Sequence, residues 1–148
     1  MPHVLSLPSS TRMTAAGITA ARELGIQVSI AVVDAGAHLI HFIRMDDAML
    51  GSIDLARQKA RASLLFRRPS AELGEITRPG GRAYGLQWSN QGLVCVGGGL
   101  PVADESGTTV GAIGVSGGSI EEDVIVAEAC LNSLADRAGD EPAPEPRR

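Results

Sequence analysis

Apolar positions along this chain change period several times, and each change marks an element. Met13, Ala16, Gly17, Ala20, Ala21 and Leu24 recur every three or four residues, which predicts an amphipathic helix. Ser9, Ser10 and Thr11 offer N-caps for it, and Gly25 stands where a helix can end in a left-handed residue. A β-branched run from Val28 to Val33 follows, then the turn Asp34-Ala35-Gly36 and a second apolar run from His38 to Arg44. Two runs joined by so short a turn predict a β-hairpin. Residues 49–66 return to helical spacing, with Ser52, Ala56, Lys59 and Ser63 on one stripe and Ile53, Ala60 and Leu64 on its neighbour. Pro69 closes that helix, and Ser70 is placed to cap a short one near 71–76.

The second half reads differently. Residues 77–91 are rich in Gly, Arg and polar groups and predict a long connection, the kind of segment that often carries function. Leu93 to Val96 reads as a strand, Gly97 to Val102 as a turn into another extended piece, and Thr109 to Val115 as a buried strand after the turn at Asp104–Gly107. Ser119 opens a last helix whose predicted inner face is Ile120, Val124, Ala127, Leu131 and Leu134. Strands joined by short turns imply an α+β protein with an antiparallel sheet of about five strands, covered by amphipathic helices. The expected organisation is a flexible arm over 1–9, one domain over 10–138 and a Pro- and Glu-rich disordered tail over 139–148.

Composition narrows the class. At 148 residues and 44% hydrophobic, the chain suits one globular domain. Only 3% of it is aromatic, so the core must come from Ala, Val, Ile and Leu. A net charge of −4 without a basic run argues against nucleic acid as a partner. Cys95 and Cys130 form neither a metal spacing nor a C-x-x-C pair, so no metal site is expected. Residues 1–25 lack the pattern of a signal peptide, and no stretch nears the roughly 20 apolar residues of a membrane span. The expectation is a cytoplasmic protein with no membrane partner.

Candidate chemistry centres on Lys59, the single lysine among 13 Lys and Arg residues. Its stripe-mates are small, which leaves room beside an ammonium able to bind a carboxylate or, once desolvated, to move a proton. The structural alternative is an ion pair with Asp34 or Asp46. Arg44 can clamp a ligand acid through two parallel hydrogen bonds, with Asp46 beside it. Asp34 suits support of the Ala35-Gly36 turn. Gly97-Gly98-Gly99 and Ser116-Gly117-Gly118-Ser119 can present bare amides to an anion, or simply turn tightly. Ser119 and Glu122 form a capping box, and Glu121, Glu122 and Asp123 complement the helix end. His38 and His41, three apart on a strand, face opposite ways and cannot chelate jointly, though either can act as a lone ligand to a metal-bearing group or as a proton carrier. Tyr84 and Trp88 can stack on a flat ligand or pin their loop.

Several of these segments together resemble a known family. Val28 to Gly36, Arg44-Met45-Asp46, Gly51 to Ala56 and Lys59-Ala60 are similar to the first half of GlcG/HbpS-like domains, and Gly98 to Val102 and Val110 to Gly118 to the second half. The resemblance covers residues 10–137. It implies a profilin- or PAS-like fold, homo-oligomers from dimer to octamer, and, in some relatives, haem binding or degradation. On that reading the protein binds a small molecule, with haem as the implied cofactor. Lys59 and Arg44 hold its acid groups, amides of Gly98, Gly99, Ser116 and Gly117 assist, and Tyr84 or Trp88 covers an aromatic face. The competing reading is a cofactor-independent enzyme of isomerase, cyclase or lyase type, using Lys59, Asp46 or His38 for proton transfer on a small oxygenated or aromatic metabolite.

Overall fold

The computed structural model describes residues 4–135. Helix α1 spans Leu7–Leu24, strands β1 and β2 span Ser29–Asp34 and Leu39–Arg44, and helices α2 and α3 span Gly51–Phe66 and Ser70–Thr77. Strands β3 and β4 span Gly99–Ala103 and Thr109–Ser116, and helix α4 spans Ile120–Ala135. The sheet is antiparallel, with four strands in the order β2-β1-β4-β3. Helix α2 packs against β1, β4 and β3, while α1 and α4 pack on each other and on the opposite face. The expected tail over 139–148 lies outside the described residues.

Four strands replace the expected five because Leu93–Val96 joins no ladder. Its backbone is satisfied another way: the Leu93 amide donates to the Gln87 carbonyl at 2.8 Å, and the Val96 carbonyl accepts from Ser70 Oγ at 2.6 Å. Both expected hairpins form. Asp34 Oδ1 accepts from the Gly36 and His38 amides at 2.8 and 2.9 Å, and Asp104 Oδ1 accepts from those of Ser106 and Thr108 at 2.9 and 3.0 Å. These are side-chain-supported turns that set the strand register.

Helix α1 starts earlier than its Ser9–Thr11 caps suggest, so the last part of the expected arm is helical. Ser6 Oγ accepts from the Ser9 amide at 3.2 Å, and Pro8 sits in the first turn, where its missing N–H costs nothing. Ser70 does not cap α3 either. Its hydroxyl ties that helix to the loop before β3, accepting from the Gly99 amide at 2.8 Å. Helix α4 is turned relative to its predicted face: Asp123, Val126, Ala127 and Cys130 are buried, while Ile120 is half exposed. Because α4 carries apolar residues on more than one side, including Ile120 and Ile125, which stay exposed, spacing alone does not choose its inner side.

The two faces of the sheet differ in bulk. Ser29, Ala31 and Val33 of β1 stand opposite Ser116, Gly114 and Ala112 of β4, on the side of α2. Ile30 and Val32 stand opposite Val115 and Ile113, on the side of α1 and α4. A Cβ at Gly114 would run into the Ala56 carbonyl and lie 2.6 Å from the Ala60 nitrogen, so the missing side chain lets α2 rest on the strand backbone.

Candidate functional site

The stripe of Ser52, Ala56, Lys59 and Ser63 is the sheet-facing side of α2, and all four residues are buried. The room expected beside Lys59 is taken up by the backbone of the glycine turn before β3, since a Cβ at Gly98 would lie 3.0 Å from Nζ. The ammonium donates to Asp123 Oδ2 at 2.9 Å and to the Val115 carbonyl at 3.0 Å. Its carboxylate is therefore Asp123 on α4, not Asp34 or Asp46. Both side chains of the pair are under 5% exposed, at 4% and 3%. The other Asp123 oxygen, Oδ1, accepts from the Gly118 amide at 2.9 Å. Burial pushes the Asp123 carboxyl above its ordinary value, against the Lys59 ammonium and the amides of Gly118 and Gly117, which pull it down.

This arrangement changes the reading of the glycine turns. The amides after β4 do hold an anion, and the anion is Asp123 of the same chain. The Gly99 amide is spent on Ser70, and the Gly98 carbonyl accepts from the Val115 amide at 2.9 Å. Ser116 is buried opposite Ser29. The capping box forms as expected, with Ser119 and Glu122 exchanging bonds at 3.0 and 3.1 Å. Asp123 is thus the residue that sequence reasoning placed in the wrong company. An acid three and four residues before the buried Val126 and Ala127 shares their helix face, and that was the available signal.

Arg44 ends β2 and opens onto a groove of about 480 Å³. Ile18, Ile26, Ile43 and Met45 contribute apolar wall, and Arg22, Gln27 and Asp46 join Arg44 as its polar groups. Arg22, from the last turn of α1, was not foreseen; it arrives because α1 ends beside the end of β2. The lining mixes polar and apolar surface about equally, and its two guanidiniums suit a compact ligand bearing acid groups.

The proposed proton-transfer residues are not brought together. Asp46 follows β2 and His38 precedes it, about 20 Å apart at the usual strand rise, while Lys59 is held beneath β4. His38 is exposed, with Nδ1 3.3 Å from Asp34 Oδ1. His41 is half-buried opposite Val32. Partial burial raises the Asp34 carboxyl, but the His38 and Gly36 amides and the His38 ring outweigh it and hold Asp34 below its ordinary value. Tyr84 and Trp88 pack edge-to-face with ring centres 5.3 Å apart, yet remain 55% and 67% exposed. Their loop lies beyond α3 and the β3 edge, across the sheet from Arg44.

A family model described as "Haem degrading protein HbpS-like" matches residues 5–132. The chain belongs to the HbpS-like family. A 15.0 kDa protein encoded between dhaT and dhaS in Citrobacter freundii is 37% identical over 133 residues, spanning 89% of this chain and 93% of that one. Protein GlcG of Escherichia coli is 35% identical over 113 residues, 76% and 81% of the two chains. Among solved structures, a complex of PduOC with haem superposes with a TM-score of 0.84 at 32% identity, covering 88% of this chain and 95% of that one. No helix among the described residues is long and apolar enough to cross a membrane.

Proposed function

We propose that this HbpS-like protein binds a haem-type small molecule and works as a cytoplasmic homo-oligomer. The groove at the end of β2 carries the reading: two guanidiniums, Arg22 and Arg44, flank a wall of Ile18, Ile26, Ile43 and Met45. Two such forks suit two carboxylates on an otherwise apolar ring. The description of the family model and the haem complex of a similar structure support the same ligand class. Two free thiols, Cys95 and Cys130, suit a reducing compartment.

The residues fit the acid groups and ring edge of haem better than its iron. The groove lining contains no histidine or cysteine, and the Met45 sulfur accepts the Val28 amide at 3.5 Å. A bound haem supplies iron for ligand or oxygen chemistry, while Arg22, Arg44 and the isoleucines bind and orient it. Cofactor-free proton transfer through Lys59 draws no support from the geometry, because Asp123 and the Val115 carbonyl engage the amine.

Haem titration tests the proposal. The expected result is a saturable Soret shift near one haem per chain. The Arg22→Ala/Arg44→Ala variant should bind at least about 100-fold more weakly, since two charged hydrogen bonds at about 1.5–3 kcal/mol each are lost, with its melting temperature unchanged. A wild type without a saturable shift, or a double variant of undiminished affinity, overturns the reading.

A further inference from the structure

The two guanidiniums of the groove come from different elements, and a short link sets the distance between them. Gly25 to Val28 runs from the end of α1 to the start of β1, and Gly25, Ile26 and Gln27 line the groove. One end of the link is tied to α1: the Gly25 amide donates to the Arg22 carbonyl at 3.1 Å, and the Ile26 amide to the Ala21 carbonyl at 3.0 Å. The other end is tied to the residue after Arg44. The Met45 amide donates to the Val28 carbonyl at 3.0 Å, and the Val28 amide to the Met45 sulfur at 3.5 Å. Whatever fixes residues 25–28 therefore fixes Arg22 against Arg44.

That link rests on the glycine turn after β4. A Cβ at Gly117 would run into the Gln27 carbonyl and lie 2.8 Å from the Val28 Cα, and a Cβ at Gly118 would lie 2.8 Å from Ile26 Cδ1. Gly117 also holds φ at +141°, where a side chain is strained. The turn and the link are in direct contact, so a shift of one passes to the other.

The buried ion pair holds the turn in turn. Lys59 Nζ donates to the Val115 carbonyl at 3.0 Å and to Asp123 Oδ2 at 2.9 Å, and Asp123 Oδ1 accepts from the Gly118 amide at 2.9 Å. Val115 and Gly118, on either side of Gly117, are thus fixed to one ammonium, the first directly and the second through Asp123. Neither Lys59 nor Asp123 lines the groove. An apolar pair would fill the same space at little cost in stability. The half-buried Gly118 amide would then turn to water instead of to a fixed carboxylate.

We propose that Lys59 and Asp123 are positioning residues for the ligand groove. They lock the turn from Val115 to Gly118 against residues 25–28, and so set the spacing at which Arg22 and Arg44 meet two ligand acids. The inference rests on the haem-type reading and gives the buried pair a part in it.

A purely structural role and a positioning role rank two double variants in opposite order. Lys59→Met/Asp123→Leu is the more stable, being apolar throughout, but offers the Gly118 amide no acceptor. Lys59→Met/Asp123→Asn buries an amide at some cost in stability and keeps an oxygen for that N–H. Haem titration should find the Asp123→Asn chain close to wild-type affinity and the Asp123→Leu chain weaker by about tenfold or more, with urea melts ordering the two the other way. Gly118→Ala leaves both members of the pair in place. Its methyl pushes the Ile26 side chain into the groove and should weaken binding by about threefold to tenfold, with little change in melting. Haem affinities that follow stability, or wild-type affinity in the Asp123→Leu chain, would overturn the positioning role. If neither double variant folds, wild-type affinity in Gly118→Ala overturns it. Wild-type protein that shows no Soret shift would instead bring down the haem reading, and this inference with it.

Discussion

The two faces of the central sheet are held by different physics. Toward α1 and α4 the strands present Ile30, Val32, Ile113 and Val115, which pack with Met13, Val126 and Cys130 in an apolar layer. Toward α2 they present Ser29, Ala31, Ala112, Gly114 and Ser116, met by Ser52, Ala56, Lys59, Ala60 and Ser63. The first face buries much apolar area per residue and supplies the larger hydrophobic term. The second offers little area, and what holds α2 there is close backbone approach, the Ser29–Ser52 hydroxyl bond at 2.8 Å and the Lys59–Asp123 pair. That pair reaches past the end of β4 and joins helices from both sides of the sheet, so it couples the two layers.

The sharpest way to break this contrast is to strand the buried ammonium. Asp123→Ala should cost about 3–5 kcal/mol in chemical denaturation, since an unpaired buried charge is worse than no charge. A Lys59→Met/Asp123→Leu double variant should recover most of that loss, because two apolar residues of similar size leave nothing unsatisfied. Equal costs for the single and the double variant would show that packing, not charge, holds α2.

Single-methyl changes on the two faces then compare close approach with bulk. Gly114→Ala adds one carbon against the backbone of α2, which cannot step aside as a side chain can, and should cost about 1–3 kcal/mol. Ile113→Val removes one carbon from the apolar layer and should cost about 0.5–1.5 kcal/mol. Urea melts of both variants measure the difference, and a larger loss from Ile113→Val would reverse the ranking of the faces.

The smallest effect belongs to the hairpin end. Asp34 titrates below its ordinary value in the folded chain, so its stabilising contribution is present above the unfolded carboxylate value and is lost as pH falls through the folded one. With a side chain 35% exposed, solvent screening limits that contribution to under about 1 kcal/mol. Asp34→Asn should flatten only this acid limb of the stability–pH curve. Asp123 acts with the opposite sign: its raised value favours the protonated folded chain and lowers stability as pH rises from the unfolded to the folded value. A wild-type minus Asp34→Asn difference curve isolates the first effect.

Much of the fold was readable locally. Helical spacing located α1, α2 and α4, and Asp34 and Asp104 announced hairpins whose turns they support. The stripe through Lys59 was correctly seen as one helix face. Less of the candidate site was readable. Arg44 proved to line a groove, but its companion Arg22 lies 22 residues away in sequence and reaches it only through the packing of α1 beside β2.

Period, cap and turn chemistry act over a few residues, so the sequence by itself determined which segments become helices and strands and that the hairpins close. Tertiary structure alone decided which carboxylate would meet Lys59, 64 residues away, which side of α4 would face inward, and that Leu93–Val96 would find Gln87 and Ser70 instead of a neighbouring strand. Those outcomes depend on distant groups arriving at one place, and on every buried donor and acceptor finding a partner once they do.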